Sequence, residues 1–179
     1  MSGSSAGMSR LSLNTATTKA LTLEQALRVA AEAGLTHVGL WRDRVEEVGL
    51  DAAVALVRAS GLAVSTLCRG GFLTAADPAG VAHALADNRT AVEQAAALGT
   101  SELVLVVGGL PAGDTDLAGA RGRVADRLAD LVPFAREHGV RLALEPLHPM
   151  YVADRAVLST LGQALDLAAP YAPAEVGVC

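Results

Sequence analysis

No apolar run in this sequence approaches the roughly 18 residues that a bilayer-spanning helix needs. Yet 51% of its residues are hydrophobic and the mean hydropathy is +0.38. The apolar residues must therefore lie in short segments around a core, and 179 residues suffice for one domain with a sizeable core. The N-terminus is rich in Ser and Gly and lacks the apolar centre of a signal peptide, so residues 1–9 read as a flexible tail and the protein as cytoplasmic. Cysteine is scarce. Cys68 and Cys179 match no metal-ligand spacing and no disulfide framework, and both are expected to be reduced and buried in strands. Positive charge is in deficit as well, and a net charge of -5 argues against a partner that presents a phosphate backbone. Neither nucleic acid nor membrane is an expected partner.

What is present is one theme repeated from Leu11 onward: a short apolar run, a polar loop, and a helix with glycine at its end. Strands are expected at Leu11–Asn14, Val38–Trp41, Leu62–Cys68, Glu102–Val107, Arg141–Glu145 and Glu175–Cys179. Thr22 with Gln25 reads as a capping box, Asp77-Pro78 as an N-cap followed by proline at the first helical position, and Thr160-Leu-Gly-Gln echoes Thr22-Leu-Glu-Gln. The charged stretch Arg42–Glu47 reads as a loop and Arg69-Gly-Gly71 as a flexible turn. Strands alternating with helices imply right-handed crossovers and a parallel sheet. A doubly wound nucleotide binder would show G-x-G-x-x-G or a P-loop after its first strand. Asn14-Thr-Ala-Thr-Thr-Lys19 has neither, which favours a (β/α)8 TIM barrel, here incomplete, with about five βα units and a sixth strand over residues 10–179.

The chain is organised around Arg141-Leu-Ala-Leu-Glu-Pro-Leu-His-Pro149. Pro146 cannot donate to a sheet ladder and holds the residue before it extended, so Glu145 should close the fifth strand. Alternation along a strand places Arg141, Ala143 and Glu145 on one face and Leu142 and Leu144 on the other. The carboxyl ends of parallel strands are where such proteins bind ligands. Glu145 is thus the first candidate for chemistry. His148, three residues on, is a candidate to hydrogen-bond a substrate hydroxyl. Trp41, the only tryptophan, could wall a pocket, Arg69 could meet a phosphate or carboxylate, and Asn14 is a weaker pocket candidate at the end of strand one. Gly108-Gly109 could let backbone amides approach an anion or simply turn the chain. His37, His83 and His138 read as solvated or structural.

Glu145-Pro-Leu-His148-Pro, Gly39-Leu-Trp-Arg-Asp43 and Leu67-Cys-Arg-Gly-Gly71, in that setting, resemble the sugar phosphate isomerase/epimerase family of the xylose isomerase-like TIM barrel superfamily. The likeness runs from Arg10 onward over the N-terminal two thirds of a family member. It implies proton transfer next to a carbonyl, assisted by a divalent cation, Mn²⁺ or Mg²⁺ first, with Co²⁺ or Zn²⁺ as alternatives. It also implies a small-molecule sugar or sugar phosphate as partner. Glu145 matches the fifth-strand metal ligand. The later ligands of the family would fall beyond Cys179, so metal binding is expected to be weak or absent and turnover impaired. A second reading is an apurinic-site endonuclease, which resembles this barrel but carries histidines at the ends of strands two and three, where this chain has Trp41-Arg42 and Cys68-Arg69. A third is a non-catalytic remnant that acts by association, with strands one and six as open edges that invite a homo-oligomer.

Overall fold

The computed structural model describes Met8 and residues 10–179; the tail expected over 1–9 falls, apart from Met8, outside them. Six strands form one sheet in the order β1-β2-β3-β4-β5-β6, and the sheet is not closed. They are β1 Ser12–Asn14, β2 His37–Trp41, β3 Ala63–Gly71, β4 Glu102–Val106, β5 Arg141–Leu144 and β6 Val176–Val178. The pairs β1/β2, β2/β3, β4/β5 and β5/β6 are parallel. Between the strands stand α1 Leu23–Glu32, α2 Arg42–Val48, α3 Leu50–Ser60, α4 Pro78–Ala97, α5 Leu117–Glu137 and α6 Leu161–Ala168. This is the expected incomplete α/β barrel. The chain forms two compact units, one taking the residues up to Cys68 with Gln94–Ser101, the other Arg69–Glu93 with Glu102–Cys179.

In the first unit α1 starts on the expected capping box. The Gln25 N–H donates to Thr22 Oγ1 (3.3 Å) and the Thr22 N–H to Gln25 Oε1 (3.0 Å), satisfying two donors that a helix start leaves open. Leu23, Ala26, Leu27 and Ala30 form its buried stripe. The stretch Arg42–Glu47 is not a loop as its charge suggested; it is helix α2. Its charges pair at helical spacing, Arg42 with Glu46 (3.6 Å) and Arg44 with Glu47 (3.0 Å), and Val45 is fully buried beneath them. Val45 is the one buried apolar residue and Val48 is exposed, too weak a period to read from sequence.

The second unit holds β4, β5 and β6 in register, Leu103 beside Leu142 and Leu144 beside Val178. Leu103, Leu105, Leu142 and Leu144 are fully buried, so the greasy face of β5 is where alternation placed it. Each such leucine contributes about 2–3 kcal/mol by leaving water. Asp77 and Asp116 cap α4 and α5 by accepting the Gly80 and Gly119 N–H groups, each at 2.8 Å. The Thr160 echo is partial: Thr160 Oγ1 accepts from the Gln163 N–H (3.2 Å), but the Gln163 side chain reaches Ser159 rather than the cap residue.

Arg69-Gly-Gly71 is not a turn; it extends β3. The reason lies on α4. Asn88, fully buried, accepts the Gly71 N–H at Oδ1 (2.7 Å) and donates Nδ2 to the carbonyls of Gly71 (2.8 Å) and Ala84 (2.8 Å). A side chain at position 70 would sit 2.6 Å from Asn88 Oδ1, and one at Gly71, whose φ is +116°, would collide with the Val106 carbonyl. These glycines are set by close approach, not by a bend.

Candidate active site

β5 stops at Leu144, one residue short of the expected Glu145, but the Glu145 N–H still donates to the Leu105 carbonyl (3.0 Å) and the Leu144–Val178 register sets Glu145 opposite Cys179, just before Pro146. Arg141, on the same face, is engaged elsewhere. Its guanidinium lies 3.3 Å from both carboxylate oxygens of Glu102 and fills the space that a side chain at Gly177 would need. Among the described residues the Glu145 carboxylate makes no hydrogen bond or ion pair, and burial raises its pKa above the usual value of 4.5. Burial, and then the charge of Glu145, raises the Cys179 thiol as well. Cys179 is exposed, against expectation, because it lies one residue past β6; Cys68 is buried as expected. A half-buried carboxyl without a partner, at a strand end, is a group suited to take and return a proton.

The raised pKa carries a sign. The folded state holds the Glu145 proton more tightly than the unfolded chain does, so stability falls as pH rises through the unfolded and then the folded value. Glu145→Gln should therefore melt slightly above the wild type at pH 7, by less than about 1 kcal/mol because the group is partly solvated. The gap should close below pH 4. Parallel melts of the two proteins at pH 7 and pH 4 measure this, and a variant that is less stable at pH 7 contradicts it.

The loops of the second unit are tied down. Gly108 donates its N–H to the Arg155 carbonyl (2.8 Å), so it holds no amide for an anion; a side chain there would meet Thr74 and Phe72, and one at Gly109 would meet the backbone of Asp154. Both glycines sit where the chain packs too closely for a side chain. Thr74 Oγ1 donates to the Gly109 carbonyl (2.7 Å), and Arg123 donates Nε to the Thr74 carbonyl (2.8 Å) and pairs with Asp114 (2.5 Å). An N–H from Asp116 and then the Arg123 guanidinium hold the Asp114 carboxyl below its ordinary pKa. His148 is exposed and caps a short 3-10 turn, Nδ1 accepting from the Met150 N–H (3.2 Å). At the end of β3 the Arg69 guanidinium lies over the Phe72 ring, 4.3 Å from its centroid.

In the first unit Asn14 caps a 3-10 turn, Oδ1 accepting from the Ala16 N–H (2.9 Å), as an ordinary turn asparagine does. Trp41 closes β2. Its backbone N–H donates to Thr15 Oγ1 (3.0 Å), while its indole Nε1 is buried without a hydrogen-bond acceptor. A buried donor left over in this way suits a ligand oxygen. Asn88 and Phe72 were not singled out from sequence. The signal for Asn88 was there: with Val81, Leu85, Val92 and Ala95 it completes the apolar stripe of α4, a costly place for an amide unless it is used.

Among the described residues no group of three or more His, Cys, Asp or Glu side chains could hold a metal ion. Glu145 offers one carboxylate, which is not a cation cage. Nor is any helix among the described residues long and apolar enough to cross a membrane.

The fold is that of an incomplete parallel α/β barrel, with Glu145 just past the carboxyl end of β5. The chain belongs to the xylose isomerase-like TIM barrel family, whose model matches residues 27–179. Protein SMc04130 from Sinorhizobium meliloti 1021 is similar at 48% identity with a TM-score of 0.90, over 94% of this chain and 62% of that one. The 3-keto-D-glucoside 4-epimerase YcjR from E. coli is similar at 19% identity and a TM-score of 0.76, over 95% of this chain and 67% of that one. The IOLI protein, whose structure holds a zinc atom, is similar at 20% identity and a TM-score of 0.76, over 93% of this chain and 60% of that one. The last two likenesses show the fold alone. No curated protein matches the chain.

Proposed function

We propose that the chain carries the Glu145 side of a sugar or sugar phosphate isomerase or epimerase site. The observation that supports this best is the partnerless, half-buried carboxyl at the end of β5, with its pKa raised by burial. In the reaction the Glu145 carboxylate takes the proton from the carbon next to a carbonyl. The C–H electron pair forms the C=C bond of an enediolate, and the carbonyl π pair moves onto oxygen. Transfer of the hydroxyl proton to the alkoxide oxygen, with return of the carbon-bound proton to the former carbonyl carbon, gives the isomer; epimerisation instead returns a proton to the same carbon from a second group on the opposite face. A raised pKa favours this role, because the acid formed by accepting the proton is more stable than it would be in water.

In the second unit His148 offers its imidazole to sugar hydroxyls; in the first, taken by itself, Trp41 keeps a spare indole N–H. Arg69, at the end of β3, is the candidate for an anionic group, and Asn14, in the first unit and taken by itself, is a weaker candidate. A divalent cation, Mn²⁺ or Mg²⁺, is the cofactor that the family likeness favours, and the zinc of the IOLI protein supports a metal. One carboxylate does not fit such an ion by itself, so no step here runs through it. The end strands β1 and β6 leave room for association with a second copy, and two free thiols suit a cytoplasmic setting. The nuclease reading has less support, since neither β2 nor β3 ends in histidine.

The test is incubation with D-fructose and D-fructose 6-phosphate, with Mn²⁺ or Mg²⁺ supplied, followed by NMR. Appearance of an epimeric ketose or an aldose is expected. Cleavage of an abasic duplex without any sugar conversion would overturn the proposal.

A further inference from the structure

We infer that Phe72 is a ligand platform, an aromatic ring displayed at the end of β3 to stack on the C–H face of the sugar; this rests on the sugar reading above. Among the described residues Phe72 is the only non-glycine with positive φ, at 55°. That conformation is unfavourable for an L side chain and persists only where the surroundings hold it. They do so here. The Phe72 N–H donates to the Val106 carbonyl (2.9 Å) and the next N–H, Leu73, to the Val107 carbonyl (2.7 Å). The preceding peptide is clamped on both sides by Asn88, and Gly108 lies so close that a side chain there would come within 3.0 Å of Phe72 Cα.

The ring lies outside the buried core. Phe72 is 43% exposed, and its recorded ring partner is the Arg69 guanidinium at 4.3 Å, which braces the ring. A strained backbone, a buried asparagine and close-packed glycines thus present one aromatic side chain to solvent at the end of the sheet where ligands bind. Aromatic faces suit sugars, which offer patches of C–H between their hydroxyls. Sequence reasoning passed Phe72 by because Arg69-Gly-Gly71 read as a turn.

Phe72→Gly separates display from packing. Glycine relieves the positive φ, so the variant should melt no lower than the wild type. Its affinity for D-fructose 6-phosphate or D-fructose, measured by calorimetry on the full chain, should fall roughly tenfold. Phe72→Trp should retain binding. Unchanged affinity in Phe72→Gly, or a melting temperature several degrees lower, overturns the assignment. If Phe72→Gly binds D-fructose 6-phosphate or D-fructose as tightly as the wild type does, the platform fails and the sugar reading stands. If the wild type binds neither probe, the sugar reading fails and the platform that rests on it fails with it.

Discussion

Asn88→Ala should be the most destabilising single substitution proposed for this protein. The side chain is fully buried and makes three hydrogen bonds, to the N–H and carbonyl of Gly71 and to the Ala84 carbonyl. Truncation leaves the two polar groups of Gly71 buried without these partners, at about 1–3 kcal/mol each, for a total near 3 kcal/mol or more. A chain of 179 residues loses about 2–4 °C per kcal/mol, so the melting temperature should fall by roughly 6–12 °C. Hydrogen exchange adds a local readout: the Gly71 and Phe72 amides should lose protection before those of β5. A drop worth less than about 1 kcal/mol would mean that β3 keeps its end by other contacts.

Glu145→Gln should do the opposite, sparing the fold and removing the reaction. Glutamine keeps the size and the planar head group but cannot take a proton from carbon. General acid–base groups are worth about 10²–10⁴-fold in rate, so any ketose conversion by the wild type should fall by roughly that factor, with substrate binding reduced far less. The same substitution should slightly raise stability at pH 7, as argued from the sign of the pKa shift. Glu145 and Phe72 would then share a signature, each costing stability and contributing function, as expected of residues placed for a ligand rather than for folding. Wild-type turnover in Glu145→Gln would move the acid/base role to another group.

Much of the fold was legible because its physics is local. Caps at Thr22, Asp77 and Asp116 announce helix starts, and Pro146 fixes where β5 stops. The two faces of β5 follow from alternation alone, down to the fully buried Leu142 and Leu144. What failed depends on neighbours far along the chain. Arg42–Val48 is a helix because its ion pairs and the buried Val45 suit one, yet seven residues with one apolar anchor show no period. Gly70 and Gly71 look like turn residues, and it takes Asn88, 17 residues beyond Gly71, with the Leu103 and Leu105 side chains and the Val106 carbonyl, to explain why nothing larger fits a strand there. The site divides the same way. Glu145 was found by its strand end, Asn14 and His148 turned out to cap 3-10 turns, and Phe72 had no sequence signal because its unusual φ is set by Val106, Gly108 and the clamp.

Deuterium uptake tests the central claim most directly. D-fructose or its 6-phosphate is incubated in D₂O with the wild type and with Glu145→Gln, Mn²⁺ or Mg²⁺ being present, and proton NMR follows the hydrogens on the carbons flanking the carbonyl. The wild type is expected to replace one of them with deuterium above the buffer rate even where net conversion is slow, and Glu145→Gln to stay at the buffer rate. Exchange no faster than buffer with the wild type, or equal exchange by both proteins, would contradict the assignment of Glu145 as the group that moves the proton.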